Sequence, residues 1–152
     1  MVPDLTLETI YFNTPTDFKM EFSLCGICNV RYLSASVTDK KSFLHALKKS
    51  VSRSRVIIAV GGFNSKDNLP KTISKAVGLS LSESESAAVK NIFSEGLIPN
   101  GAIPLINPND ILCGLVLETE NQSIIMLTEN KENRFEIVES LVLPYLKLLL
   151  KK

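Results

Sequence analysis

The chain has few of the features that narrow a protein's class at a glance. Its three cysteines, Cys25, Cys28 and Cys113, are an odd number and cannot make a complete disulfide set. Cys25-Gly26-Ile27-Cys28 has the spacing of a redox or half-zinc motif, and Cys113 with the single histidine, His45, could just complete one Cys₃His site. No second paired spacing accompanies it, so ordinary reduced thiols are the expected reading. No apolar run approaches the roughly 20 residues of a membrane span, and Met1-Val2-Pro3-Asp4-Leu5 lacks a signal-peptide pattern. A cytoplasmic protein without membrane contact is expected. The 17 basic and 16 acidic residues leave a formal charge of +1. With the cations dispersed along the chain, no polyanion field argues for nucleic acid. Linkers and internal repeats are also missing, so residues 1–152 are expected to form one domain.

What is present is a hydrophobic content of 45%, enough for a packed core, and an alternation of strand and helix patterns. The most informative stretch is Val56-Ile57-Ile58-Ala59-Val60, an uninterrupted apolar run as expected of a parallel strand buried on both faces. It stops at Gly61-Gly62. A polar turn, Phe63-Asn64-Ser65-Lys66-Asp67-Asn68, leads into a helical pattern of Leu69, Ile73, Ala76 and Val77 closed by Gly78. In open α/β sheets such a turn lies at the carboxyl ends of the strands, where the following helix offers unpaired N–H groups to an anion.

Before this unit, Leu5 to Phe12 suits a first strand. In residues 18–25 Met20, Phe22 and Leu24 fit a strand period while Phe18, Phe22 and Cys25 fit a helical one, and Gly26 as a terminator favours a short helix. A second strand is expected from Ile27 to Tyr32, running on toward Val37. Asp39 then N-caps a helix carrying Phe43, Leu44, Leu47 and Val51, whose basic end, with Lys48, Lys49, Arg53 and Arg55, reads as a solvated helix terminus. His45 on that helix reads as a surface or boundary histidine. After the central unit, Ser82-x-x-Glu85 has the form of a capping box opening a helix with Val89, Ile92 and Phe93 inward. Residues 97–101 read as a turn and 102–106 as a short apolar piece, followed by the polar loop Asn107-Pro108-Asn109-Asp110. Residues 111–117 and 123–127 read as a hairpin. A last helix runs from Phe135 to Leu148, with Pro144 kinking or interrupting it. The implied architecture is three-layer α/β/α, with a mostly parallel central sheet and one antiparallel edge pair.

Taken together, Val37-Thr38-Asp39, the strand and diglycine turn with its helix to Val77-Gly78-Leu79, Asn107-Pro108 with Gly114-Leu115, and Leu143-Pro144-Tyr145-Leu146 carry a resemblance. Over residues 22–148 their order and spacing resemble the molybdopterin-binding-like domain of molybdenum-cofactor biosynthesis proteins and of the N-terminal half of the competence/damage-inducible CinA family, the CinA branch most of all. The resemblance implies a nucleotide or pterin phosphate at the glycine turn, homo-oligomers, and, in active branches, a divalent metal such as magnesium held by carboxylates. It also implies candidate ligand contacts at Gly61, Gly62, Asn64, Ser65, Lys66, Asp67, Asn107 and Asp110, with Asp67 as the candidate magnesium ligand. The residues themselves allow plainer readings: a tight turn for Gly61-Gly62, a helix N-cap for Asp67, solvated lysines at Lys66 and Lys71, and a turn aspartate for Asp110.

Departures from the family pattern fall on the chemistry. Phe63-Asn64-Ser65-Lys66 stands where the family has L-G-P-T, and Asn68 replaces its second aspartate. The acidic G-D-E loop has no counterpart in residues 12–17. The late L-P-G-x-P-x-E loop becomes Leu127-Thr128-Glu129-Asn130-Lys131-Glu132-Asn133, with Glu129 adding negative charge where an anionic ligand is expected. A domain that binds with weakened or no catalysis is the leading expectation. The alternatives are a metal-dependent pyrophosphatase of the ADP-ribose type and a ligand-free oligomeric interaction module.

Overall fold

Strand β3, Val56–Val60, lies inside the sheet, and every one of its residues is buried. The computed structural model describes residues 5–15 and 30–150. Around β3 the six-stranded sheet runs β2 (Val30–Val37), β1 (Leu5–Phe12), β3, β8 (Ser123–Leu127), β7 (Leu112–Glu118) and β6 (Ile103–Ile106). Strands β2, β1, β3 and β8 are parallel, whereas β7 runs antiparallel to β8 and edge strand β6 antiparallel to β7.

Side-chain alternation along β3 builds two cores. Val56, Ile58 and Val60 face one side with Ile125 and Leu127 of β8, under Val138, Val142 and Leu146 of the last helices. Ile57 and Ala59 face the other side with Ile124 and Met126, under Phe43 and Leu47 of α1 (Lys40–Arg53) and Leu69 and Ile73 of α2 (Leu69–Ala76). A strand that feeds both cores can carry no polar position, which is why its sequence is apolar without alternation. The result is the expected three-layer α/β/α arrangement.

Most expected elements stand where they were read. Asp39 caps α1 by accepting the Ser42 N–H at 2.7 Å, and Gly78 follows the end of α2 with its N–H on the Lys75 carbonyl. Two readings are corrected. Ser82 and Glu85 form no capping box, because residues Leu81–Glu83 are strand β4, paired antiparallel with β5 (Leu97–Pro99) inside the stretch read as a turn. The helix that follows, α3 (Ala87–Ile92), is capped by Ser86 instead. The short helix expected at 18–25, Cys25, Cys28 and the start of the second strand lie outside the described residues.

The last helical stretch is interrupted, as Pro144 requires. Helix α4 (Lys131–Ile137) widens into a π-helical segment, Val138–Val142, before α5 (Leu143–Leu150) resumes. Proline lacks the N–H that would bond back to the preceding turn and its ring crowds that turn, so a local widening relieves both.

One buried charge ties α1 to the sheet. Glu8 in the middle of β1 is 2% exposed, yet it accepts Arg53 Nε at 3.1 Å, Arg53 Nη2 at 2.7 Å and Ser54 Oγ at 2.9 Å. Arg53 therefore closes onto the sheet instead of ending a wholly solvated helix terminus, while Lys48, Lys49 and Arg55 stay exposed as expected. Burial pushes the Glu8 carboxyl upward, but the hydrogen bonds from Arg53, Ser54 and Ser50, with the Arg53 charge, outweigh it and hold the pKa below the usual range. A depressed folded pKa gives stability that is present above the unfolded value and is lost as pH falls through the folded one. Urea midpoints should accordingly fall less steeply on acidification in Glu8→Gln than in the parent. Parallel acid limbs in the two proteins would reject this role.

Candidate functional site

The carboxyl ends of β1, β3 and β8 share one rim, and the diglycine turn sits on it. Gly61 continues β3 by donating its N–H to the Leu127 carbonyl at 3.0 Å, while Leu69 at the start of α2 donates back to the Gly62 carbonyl at 3.1 Å. Neither position admits a side chain. Gly61 has φ +100, and a Cβ there would lie 2.2 Å from the Phe12 carbonyl oxygen; at Gly62, with φ +62, it would lie 2.4 Å from Leu69 Cγ. The glycine pair is thus demanded by the close passage of β1 and α2, whatever else it does.

Phe63 is buried beyond the turn, its ring edge-on to Phe93 at 5.4 Å, and that anchor leaves its backbone N–H at the rim. The acceptor is the Glu129 carboxylate, from the loop after β8, at 3.2 Å through Oε2. Asn64 joins the cluster: its Nδ2 donates to Glu129 Oε1 at 3.5 Å and to Asp67 Oδ2 at 3.3 Å, while its Oδ1 accepts the Asp67 N–H at 2.8 Å. Two carboxylates are therefore held by one amide in front of the turn.

The expected contacts divide three ways. Gly61, Gly62, Asn64 and Asp67 come together with Glu129, as described. Ser65 and Lys66 are exposed in the same loop, and Ser65 lines a cleft of about 220 Å³ with Asn68, Lys71, Phe93 and Glu95. Asn107 and Asp110 sit in the β6–β7 loop. Asn107 is buried, and its Oδ1 accepts the N–H groups of Asn109 at 2.9 Å and Ile111 at 3.0 Å, so its side chain is engaged in closing its own loop. Asp110 is exposed with φ 60, in a turn role. The cap of α2 is also corrected: Asn68, not Asp67, accepts the Lys71 N–H, at 3.2 Å. Its φ of 42 is a left-handed conformation that asparagine tolerates better than most residues.

For a divalent cation the donor set is thin. Among the described residues no group of three His, Cys, Asp or Glu side chains could hold a metal. Asp67 and Glu129 would supply two oxygens at most sites of the magnesium type, which fits only where phosphate oxygens complete the shell. His45 is exposed on α1, where it lines a separate cleft with Glu8, Ser34 and Lys49, and Cys113 is buried in β7, where burial raises its thiol pKa.

The sheet order and the two helical layers define a three-layer α/β/α domain with a mostly parallel sheet. Among solved structures, CinA from Thermoplasma acidophilum matches with a TM-score of 0.72 at 18% identity, over 90% of this chain and 95% of that one. The Mog protein from Mycobacterium ulcerans matches with a TM-score of 0.57 at 15% identity, over 97% and 98% of the two chains. In sequence, a competence-damage inducible protein of Halothermothrix orenii is 29% identical over 139 residues, which are 81% of this chain and 33% of the relative. The chain is CinA-like, and it spans about a third of the length of the curated relatives it matches. No protein-family model matches it.

Proposed function

We propose that this domain binds a nucleotide or a pterin through phosphate at the Gly61-Gly62 turn, with little or no turnover. The observation that carries the reading is the Phe63 N–H, presented at the rim and already engaged with a carboxylate oxygen. A donor that holds one oxyanion has the chemistry to hold another. Hydrolysis of an ADP-ribose-type pyrophosphate would ask for more converging carboxylates than Asp67 and Glu129 offer. The reading includes a cytoplasmic location and a homo-oligomer.

The test is a thermal-shift screen of nucleotides, ADP-ribose and pterins, with and without magnesium. A ligand at one hundred times its dissociation constant adds roughly 2.7 kcal/mol, a readily seen shift. Silence from every compound would replace this reading with that of a ligand-free interaction module.

A further inference from the structure

We propose that Glu129 is a built-in competitor for the anion site, so that a phosphate group binds only by expelling the Glu129 carboxylate from the diglycine turn. The proposal rests on the phosphate-binding reading of that turn. Its ground is positional: Glu129 Oε2 occupies the acceptor position on the Phe63 N–H at 3.2 Å, and Oε1 takes the Asn64 amide at 3.5 Å. A phosphate oxygen on the same N–H would need the same volume, since N–H···O contacts lie at about 2.9 Å. Two anions cannot share it.

The competitor is tethered but loosely seated. Its backbone lies between Thr128, whose N–H bonds the Cys113 carbonyl at 2.9 Å, and Asn130, which caps α4 by accepting the Asn133 N–H at 3.0 Å. Those anchors keep the carboxylate within reach of the turn at high local concentration. The side chain itself is exposed, and both of its contacts here are long, so it can swing into solvent without unfolding anything. Asp67 reinforces the exclusion, because the same Asn64 amide holds its carboxylate at 3.3 Å. An incoming anion thus meets one negative charge on its donor and a second beside it.

The experiment follows the Phe63 amide resonance in the full ¹⁵N-labelled chain during titration with inorganic pyrophosphate, in the parent and in Glu129→Gln and Glu129→Ala. Loss of one like charge at a partly solvated contact is expected to tighten pyrophosphate binding about tenfold in both variants. Equal affinity in all three proteins would overturn the competition while leaving the anion site in place. An amide that responds in none of them would overturn the site itself, and the competition with it.

Discussion

Gly61→Ala is expected to lower the unfolding free energy by about 3 kcal/mol or more, combining a strained backbone with overpacking. The new Cβ would stand 2.2 Å from the carbonyl oxygen of Phe12, at a φ of +100. A flexible side chain could move aside. This neighbour is backbone, and Phe12 is the last residue of β1, held in register with Val37. Relief therefore requires β1 and β3 to separate at the rim. The control is Gly78→Ala, which also has a positive φ, +76, but where an added Cβ meets nothing within 4 Å. That variant should lose only about 1 kcal/mol, the conformational part alone. Equilibrium urea unfolding of both proteins measures the difference. If they lose the same amount, the close approach of Phe12 to the turn does not exist in solution.

Much of the fold could be read because its signals are local. An apolar run with no polar interruption marks β3 as interior, and Asp39 ahead of a helical period marks the start of α1. Glu118-Thr119-Glu120-Asn121-Gln122 marks the hairpin, whose turn is closed by the Thr119 N–H on the Gln122 carbonyl at 2.9 Å. Errors arose where distant pairing overrode a local pattern. Ser82 and Glu85 have capping-box spacing, but Ser82 pairs with Ile98 and is drawn into a strand. Asp67 and Asn68 are both good caps in sequence, and the choice shows only in the structure, where α2 starts at Leu69 and the Asn68 oxygen accepts the Lys71 N–H. The Glu8–Arg53 pair joins residues 45 positions apart, through the register of β1 and the length of α1, so no motif announces it.

The site was legible in kind but not in detail. That Glu129 would bring negative charge to the ligand position follows from the residue standing where the family has glycine. Its donor does not, because a backbone N–H carries no identity in the sequence; Phe63 is aimed by the packing of its ring on Phe93. The same rim also separates residues that look alike on paper. Asn64 and Asn107 are both loop asparagines, yet Asn64 bridges two carboxylates while Asn107 spends its oxygen on its own turn.

Ile58→Ala should cost about 2–5 kcal/mol, the range for an isoleucine truncated in a closed core. Ile58 has no exposed surface and lies midway along β3, paired with Thr9 on β1 and Ile125 on β8. Its side chain belongs to the core beneath the last helices, with Val138, Val142 and Leu146. Both neighbouring strands are fixed by their ladders, so the space left by the missing carbons cannot collapse cheaply. Ile58→Val, which removes one methylene, should cost about 1 kcal/mol. Ile103→Ala on edge strand β6, where the side chain is 59% exposed, should stay within about 0.5 kcal/mol. The two truncations to alanine share a chemistry and differ in closure, so urea midpoints at constant slope rank the two sheet positions directly. A loss below about 1 kcal/mol for Ile58→Ala would mean that the C-terminal helices do not seal this face. With that face open, β3 would no longer be held rigidly from both sides, and the turn it delivers to the rim would lose the support its donors depend on.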